Sequence, residues 1–141
     1  MIIYIFGSDN EYNRKIAIDD FCKKNGLTSQ TVVYDSKGKP TLQQAYISVA
    51  HTESVLVVAL SIQNIGVDIE KSNRKITIAD SVEQWTQLEA YSKYIGTGLT
   101  RQLLISPNLP MYLITTLEVD DGYTLSVCSN DDERCIIDKR S

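Results

Sequence analysis

Residues 46–70 contain three short apolar runs joined by tight polar links. Tyr46–Ala50, Val55–Leu60 and Ile65–Glu70 are each of strand length and rich in β-branched residues. The links are His51-Thr52-Glu53-Ser54 and Gln63-Asn64. Parallel neighbours need a crossover of a dozen or more residues, so links this short predict an antiparallel meander. The third run carries the most chemistry. In Ile65-Gly66-Val67-Asp68-Ile69-Glu70 the apolar residues recur with the period of two that marks a half-buried strand. Ile65, Val67 and Ile69 are predicted to face the core, which sets Asp68 and Glu70 one pleat apart on the opposite face. Two carboxylates so placed repel each other unless a cation or a donor stands between them. Hard oxygen ligands of this kind suit Mg²⁺, which usually takes one or two carboxylates and completes its shell with water and phosphate. A simply solvated acidic face is the plainer alternative. Gly66 adds no side chain to that face, so a ligand or a backbone can come close there.

The rest of the chain supplies two helices and more strands. Ile2–Phe6 is a β-branched and aromatic run closed by the turn cluster Gly7-Ser8-Asp9-Asn10. Asn10 is placed to cap a helix over Glu11–Asn25, with Tyr12, Ile16, Phe21 and Leu27 as a rough apolar stripe and Gly26 as its stop. Thr31–Tyr34 reads as a short strand, followed by the basic turn Ser36-Lys37-Gly38-Lys39-Pro40. Ile78, Val82, Trp85, Leu88, Tyr91 and Ile95 recur at three- and four-residue steps and predict a second helix. Thr77 and Asp80 resemble its capping pair, and Gly96 and Gly98 end it. Trp85, Glu89 and Lys93 share one face at i, i+4 and i+8. Glu89 falls at the margin of the apolar stripe, where partial desolvation disfavours its charge unless a cation pairs with it. An exposed Glu89–Lys93 surface pair is the alternative. Beyond it, Gln102–Ile105, Met111–Val119, Tyr123–Ser129 and Cys135–Ile137 read as strands, the middle two joined at the hairpin signal Asp121-Gly122. The Asp131–Arg134 turn and the Lys139-Arg140-Ser141 tail are expected to be solvated.

The 141 residues are enough for a single domain with a real core, and the element order hints at two similar halves, about 1–62 and 63–141. A formal net charge of −4 gives no support to a nucleic-acid partner. Met1–Phe6 lacks the basic n-region of a signal peptide, and no apolar run reaches the length of a membrane span. Cys22, Cys128 and Cys135 form no C-x-x-C, which fits reduced, buried thiols and a cytoplasmic location. The only histidine, His51, closes the first strand of the trio beside a turn, where binding groups often sit.

Several of these pieces occur in one order: Gly38-Lys39-Pro40, Ser48-Val49-Ala50-His51-Thr52, Ile65-Gly66-Val67-Asp68-Ile69-Glu70-Lys71, Trp85 through Lys93, and Gly96-Thr97-Gly98-Leu99. Together they resemble the 4′-phosphopantetheinyl transferase superfamily of the Sfp type, from about Gly38 to Ser129. That family carries G-K-P, an S-H-S/T turn, a G-[IV]-D-[IV]-E strand, a W-[ST]-x-K-E helix and a G-x-G-L-S close. The resemblance implies an α+β fold of two α/β halves related by pseudo-twofold symmetry, with mostly antiparallel sheets each packed on a helix. It implies an active site in the cleft between the halves. The implied activity moves the 4′-phosphopantetheine group from coenzyme A to a serine of an acyl or peptidyl carrier protein, releasing 3′,5′-ADP, with Mg²⁺ or Mn²⁺ as cofactor. Asp68, Glu70 and Glu89 would be the metal carboxylates. Glu89 or Glu70, directly or through water, would help deprotonate the serine. Lys93 would meet the pyrophosphate, and Lys39 and His51 would hold the nucleotide end. Both halves of the cleft lie in one chain, so a monomer is expected, with an oligomer left open. Lys71, Arg74 and Lys75 would suit an acidic carrier helix, with a solvated basic loop as the equal alternative.

The chain departs from the family pattern in three places. Leu88 stands where the helix motif has lysine, Ala50 stands where the turn has serine, and only fourteen residues separate Glu70 from Trp85. The alternative is therefore a degenerate homologue that binds carrier protein or coenzyme A without transfer.

Overall fold

The computed structural model describes residues 1–130 and 134–140. Strand β1 (Ile2–Phe6) leads to helix α1 (Glu11–Lys24), whose first turn is capped as expected: the Asn10 side chain accepts the Asn13 N–H at 2.7 Å. A small hairpin follows, β2 (Val33–Tyr34) with β3 (Pro40–Thr41). Then come β4 (Tyr46–Thr52), β5 (Val55–Ser61), β6 (Ile65–Lys71), helix α2 (Val82–Ile95) and the short helix α3 (Arg101–Ile105). A 3-10 turn at Met111–Leu113 precedes β7 (Ile114–Val119), β8 (Tyr123–Ser129) and β9 (Ile136–Arg140). The chain is thus mixed α+β.

Two main sheets pack face to face. One runs β4-β5-β1-β9 and the other β6-β8-β7. All neighbours are antiparallel except β1 and β9, which are parallel. Ile3, Ile5, Val57 and Ala59 of the first sheet meet Ile65, Val67, Ile69, Leu125 and Val127 of the second in one core. The outer face of the first sheet, with Tyr4, Phe6, Leu56 and Val58, packs on Ala17, Ile18, Phe21 and Cys22 of α1. Helix α2 covers the outer face of the second sheet, held by buried hydroxyls. Thr86 bonds Ser126 at 2.7 Å, and Ser126 bonds Thr116 at 2.9 Å. Each large apolar side chain so buried contributes roughly 1.5–3 kcal/mol.

The predicted meander is not formed. β4 and β5 pair, but both edges of β5 are taken, by β4 and β1, so β6 has no edge to join. It crosses to the second sheet and pairs with β8. β6 is also not half-buried. The face carrying Gly66, Asp68 and Glu70 lies under α2, so the solvated acidic face is ruled out.

Other boundaries shift for local reasons. α2 starts at Val82 and not near Thr77, because Ser81 accepts the Gln84 N–H while the Gln84 side chain accepts the Asp80 N–H. Ile78 is left outside the helix and exposed. Gln102–Ile105 is helical and not a strand, since Thr100 caps it and Gln and Leu favour helix. Met111–Leu113 is a 3-10 turn ahead of β7. The hairpin at Asp121-Gly122 forms, with Asp120, Asp121 and Gly122 all at positive φ. β9 continues to Arg140, so Lys139 and Arg140 form an edge strand and not a free tail; Arg140 pairs with Asp20 and Asp138. Residues 131–133 of the predicted turn, and Ser141, lie outside the described residues. Cys22 and Cys128 are buried, but Cys135 is exposed. No helix among the described residues is long and apolar enough to cross a membrane.

Gly66 is fixed by packing. A Cβ there would collide with the Ala90 carbonyl oxygen and lie 2.6 Å from the Tyr94 amide nitrogen, both backbone atoms of α2. Gly66→Ala is expected to cost about 2–4 kcal/mol in urea unfolding, since neither helix nor strand backbone can yield. Gly38→Ala, at positive φ but in open space, is expected to cost roughly 1–2 kcal/mol. Equal, small losses for the two variants would show that α2 does not rest on Gly66.

Candidate functional site

The small residues of α2 determine how the site is built. Thr86 and Ala90 are fully buried against the sheet. They let the helix backbone settle on Gly66, and the same approach brings Glu89 and Lys93 over β6. The Lys93 ammonium donates to the Val49 carbonyl at 3.0 Å and stands 3.6 Å from Asp68 Oδ1. Lys93 thus ties α2 to both sheets, and the expected surface pair with Glu89 is not among the ion pairs of the described residues. Lys39 arrives from the basic turn. Asp35 shapes that turn by accepting the N–H groups of Lys37 and Lys39, each at 2.9 Å. The Lys39 ammonium then donates to the Lys93 carbonyl at 3.1 Å. Lys37, Lys39, Lys93, Val49 and the Gly96–Gly98 turn line a cavity of about 310 Å³.

The carboxylates are differently placed. Asp68 Oδ2 is buried and has no hydrogen-bond partner among the described residues. Burial pushes the Asp68 carboxyl up to about 7, although the Lys93 charge pulls the other way; Glu89 adds to the rise. Burial likewise raises Glu89, offset in part by Lys93 and Arg74. Glu70 is satisfied by the protein: Thr52 donates to its Oε1 at 3.3 Å and Arg74 pairs with its Oε2. Among the described residues, no three His, Cys, Asp or Glu side chains stand together closely enough to hold a metal ion. The donor chemistry of Asp68 and Glu89 nonetheless fits a hard divalent cation: oxygen donors, desolvated, one of them with an orphaned buried atom.

The structure therefore brings Asp68, Glu89 and Lys93 together, while Lys39 meets the Lys93 carbonyl and shares with Lys93 the lining of the cavity, to which neither carboxylate contributes. Glu70 lies on the same strand face but is engaged elsewhere. His51 is exposed at the end of β4, with Nε2 4.0 Å from Asp9 Oδ2, and does not line the cavity. Leu88 is buried at 1% exposure and belongs to the packing of α2. Of the basic loop, Lys71 pairs with Glu53 at 3.0 Å and Arg74, though exposed, pairs with Glu70, which leaves Lys75 exposed. Sequence reasoning missed Ser48, whose hydroxyl accepts the Val67 N–H at 3.0 Å and joins β4 to β6 across the two sheets. A serine within an otherwise apolar strand was its only signal. Burial pushes the Cys128 thiol up to about 12, which removes it as a nucleophile at neutral pH. No family model matches the chain, and no curated protein matches it.

Asp68 gives a pH signature. Its folded-state value, about 7, lies above the ordinary aspartate value of 3.8, so the folded chain holds more protons between those limits. Stability contributed at this residue is then present in acid, declines as pH rises through that window, and is lost above about pH 7. Asp68→Asn removes the penalty. In metal-free buffer the variant is expected to gain on the order of 2–4 kcal/mol at pH 8 and almost nothing at pH 4. Urea unfolding at the two pH values measures this, and the same change at both would refute it.

Proposed function

We propose that this chain transfers the 4′-phosphopantetheine group from coenzyme A to a serine of an acyl or peptidyl carrier protein. The observation that carries the reading is the meeting of Asp68 from the strand motif with Glu89 and Lys93 from the helix motif, beside a cavity that Lys93 and Lys39 line. The fold we infer is the two-halved, pseudo-twofold arrangement of that family. It is supported by a helix on the outer face of each sheet, although β9 returns to the sheet of β1.

Attack on a pyrophosphate is phosphoryl transfer, in which positioning and charge neutralisation dominate. The serine oxygen bonds to the phosphorus bearing the pantetheine arm, the bond from that phosphorus to the nucleotide oxygen breaks, and 3′,5′-ADP leaves. Glu89 takes the serine proton. Burial raises its proton affinity, and unlike Glu70 it makes no ion pair with an arginine. Lys93 exchanges its contact with the Val49 carbonyl for a phosphate oxygen. Lys39 binds phosphate from the other wall of the cavity. His51, with Arg14 beside the shared partner Asp9, meets the nucleotide end from outside it. Asp68 and Glu89, with Glu70 if it is freed, would hold Mg²⁺ or Mn²⁺. What the cation supplies is neutralisation of charge on the phosphate oxygens. Exposed Lys75 suits an acidic carrier surface.

A second reading is binding of coenzyme A or carrier protein without transfer. It is favoured by the absence, among the described residues, of three carboxylates at ligating distance.

Mass spectrometry of apo carrier proteins incubated with the chain, coenzyme A and Mg²⁺ separates the two. A gain of the phosphopantetheine mass, lost on chelation, is expected. Lys93→Ala should slow it by about one to two decades. Leu88→Lys should give no gain in rate and lose roughly 2 kcal/mol or more of stability, as a buried unpaired charge does. No mass gain on fatty-acid, polyketide or peptide carriers, with coenzyme A still bound, would establish the binding protein instead.

A further inference from the structure

The loop after β6 returns to the acidic strand. The Arg74 N–H donates to the Lys71 carbonyl at 3.0 Å, and this turn carries the guanidinium onto Glu70 Oε2. Thr52 holds the other oxygen. Arg74 also lies close enough to Glu89 to act on its charge. A guanidinium has five donors and no lone pair, so it competes with a cation for carboxylate oxygens and can never assist in binding one. The acidic strand is therefore asymmetric. Asp68 keeps one buried oxygen open, while both oxygens of Glu70 are taken.

We propose that Arg74 is an intramolecular counter-ion that holds Glu70 closed, and that a divalent cation recruits Glu70 only by displacing it. The inference rests on reading Asp68 and Glu89 as cation ligands. The pair is built for such an exchange. The Arg74 side chain is 52% exposed and that of Glu70 only 10%. Arg74 can swing into water at small cost, whereas Glu70 left alone would be a buried, unpaired charge. Arg74 therefore leaves when another positive charge arrives. Lys93 is no equivalent competitor, because the ion pair it makes is with Asp68, 3.6 Å from Oδ1. By linkage, whatever the Arg74–Glu70 contact contributes is subtracted from cation affinity.

Mn²⁺ titration of the intact chain, followed by the electron paramagnetic resonance of free Mn²⁺, tests the proposal. Arg74→Gln is expected to bind Mn²⁺ about tenfold more tightly than the wild type. Arg74→Lys should stay within about twofold of wild type, since it keeps the charge. In the wild type, saturating Mn²⁺ should speed amide exchange at residues 72–75. Arg74→Gln no tighter than wild type, with Asp68→Asn abolishing binding in both, would overturn the lock and leave the cation site standing. Unchanged exchange at 72–75 would overturn it as well. No Mn²⁺ binding by any variant would remove the cation site and the lock together.

Discussion

The backbone of α2 lies directly on Gly66, and this close approach sets where the charges of the site stand. A helix resting on a side chain would ride higher over β6 and carry Glu89 and Lys93 away from Asp68. The contact needs a glycine on the strand and small residues, Thr86 and Ala90, on the helix. Hydroxyls then fix the register: Thr86 on Ser126 beneath the helix, and Ser48 on Val67 between the two sheets. Lys93 completes the tie by reaching the Val49 carbonyl. One packing decision thus joins α2, both sheets and the cavity wall.

That placement stabilises nothing by itself. Desolvation works against the charged forms of Asp68 and Glu89, and Lys93 offsets only part of the effect. A chain selected for stability alone would place apolar residues between helix and sheet, as it does between the two sheets. Partly compensated charge in the interior is what a site for a cation and phosphates requires. The structure keeps the penalty tolerable by giving Glu70 a protein partner and leaving one oxygen of Asp68 without one.

The sequence made local features legible and left their assembly hidden. The Asn10 cap, the Asp121-Gly122 hairpin and the alternation of Ile65, Val67 and Ile69 follow from neighbours in the chain, and each is present. The meander failed because strand partnership is a contest for edges, and β1, which lies far from β5 in the chain, holds the edge that β6 would need. The acidic face read as open because the period of two reports which side is apolar and cannot report that a helix will cover the other. Glu89 and Lys93 were placed on one helix face from spacing alone, and Gly66 was marked for a close approach. That the approaching group is the backbone of α2, and that Arg74 folds back onto Glu70, depends on contacts no local pattern encodes.

In the proposed transferase, carboxylates and lysines from distant segments act as one site for a cation and a pyrophosphate. Calorimetric titration of coenzyme A, with and without Mg²⁺, measures that coupling directly. Mg²⁺ is expected to tighten coenzyme A binding by about tenfold in the wild type and to leave it unchanged in Asp68→Asn, as a shared site requires. Equal affinity for coenzyme A with and without Mg²⁺ in the wild type would contradict it.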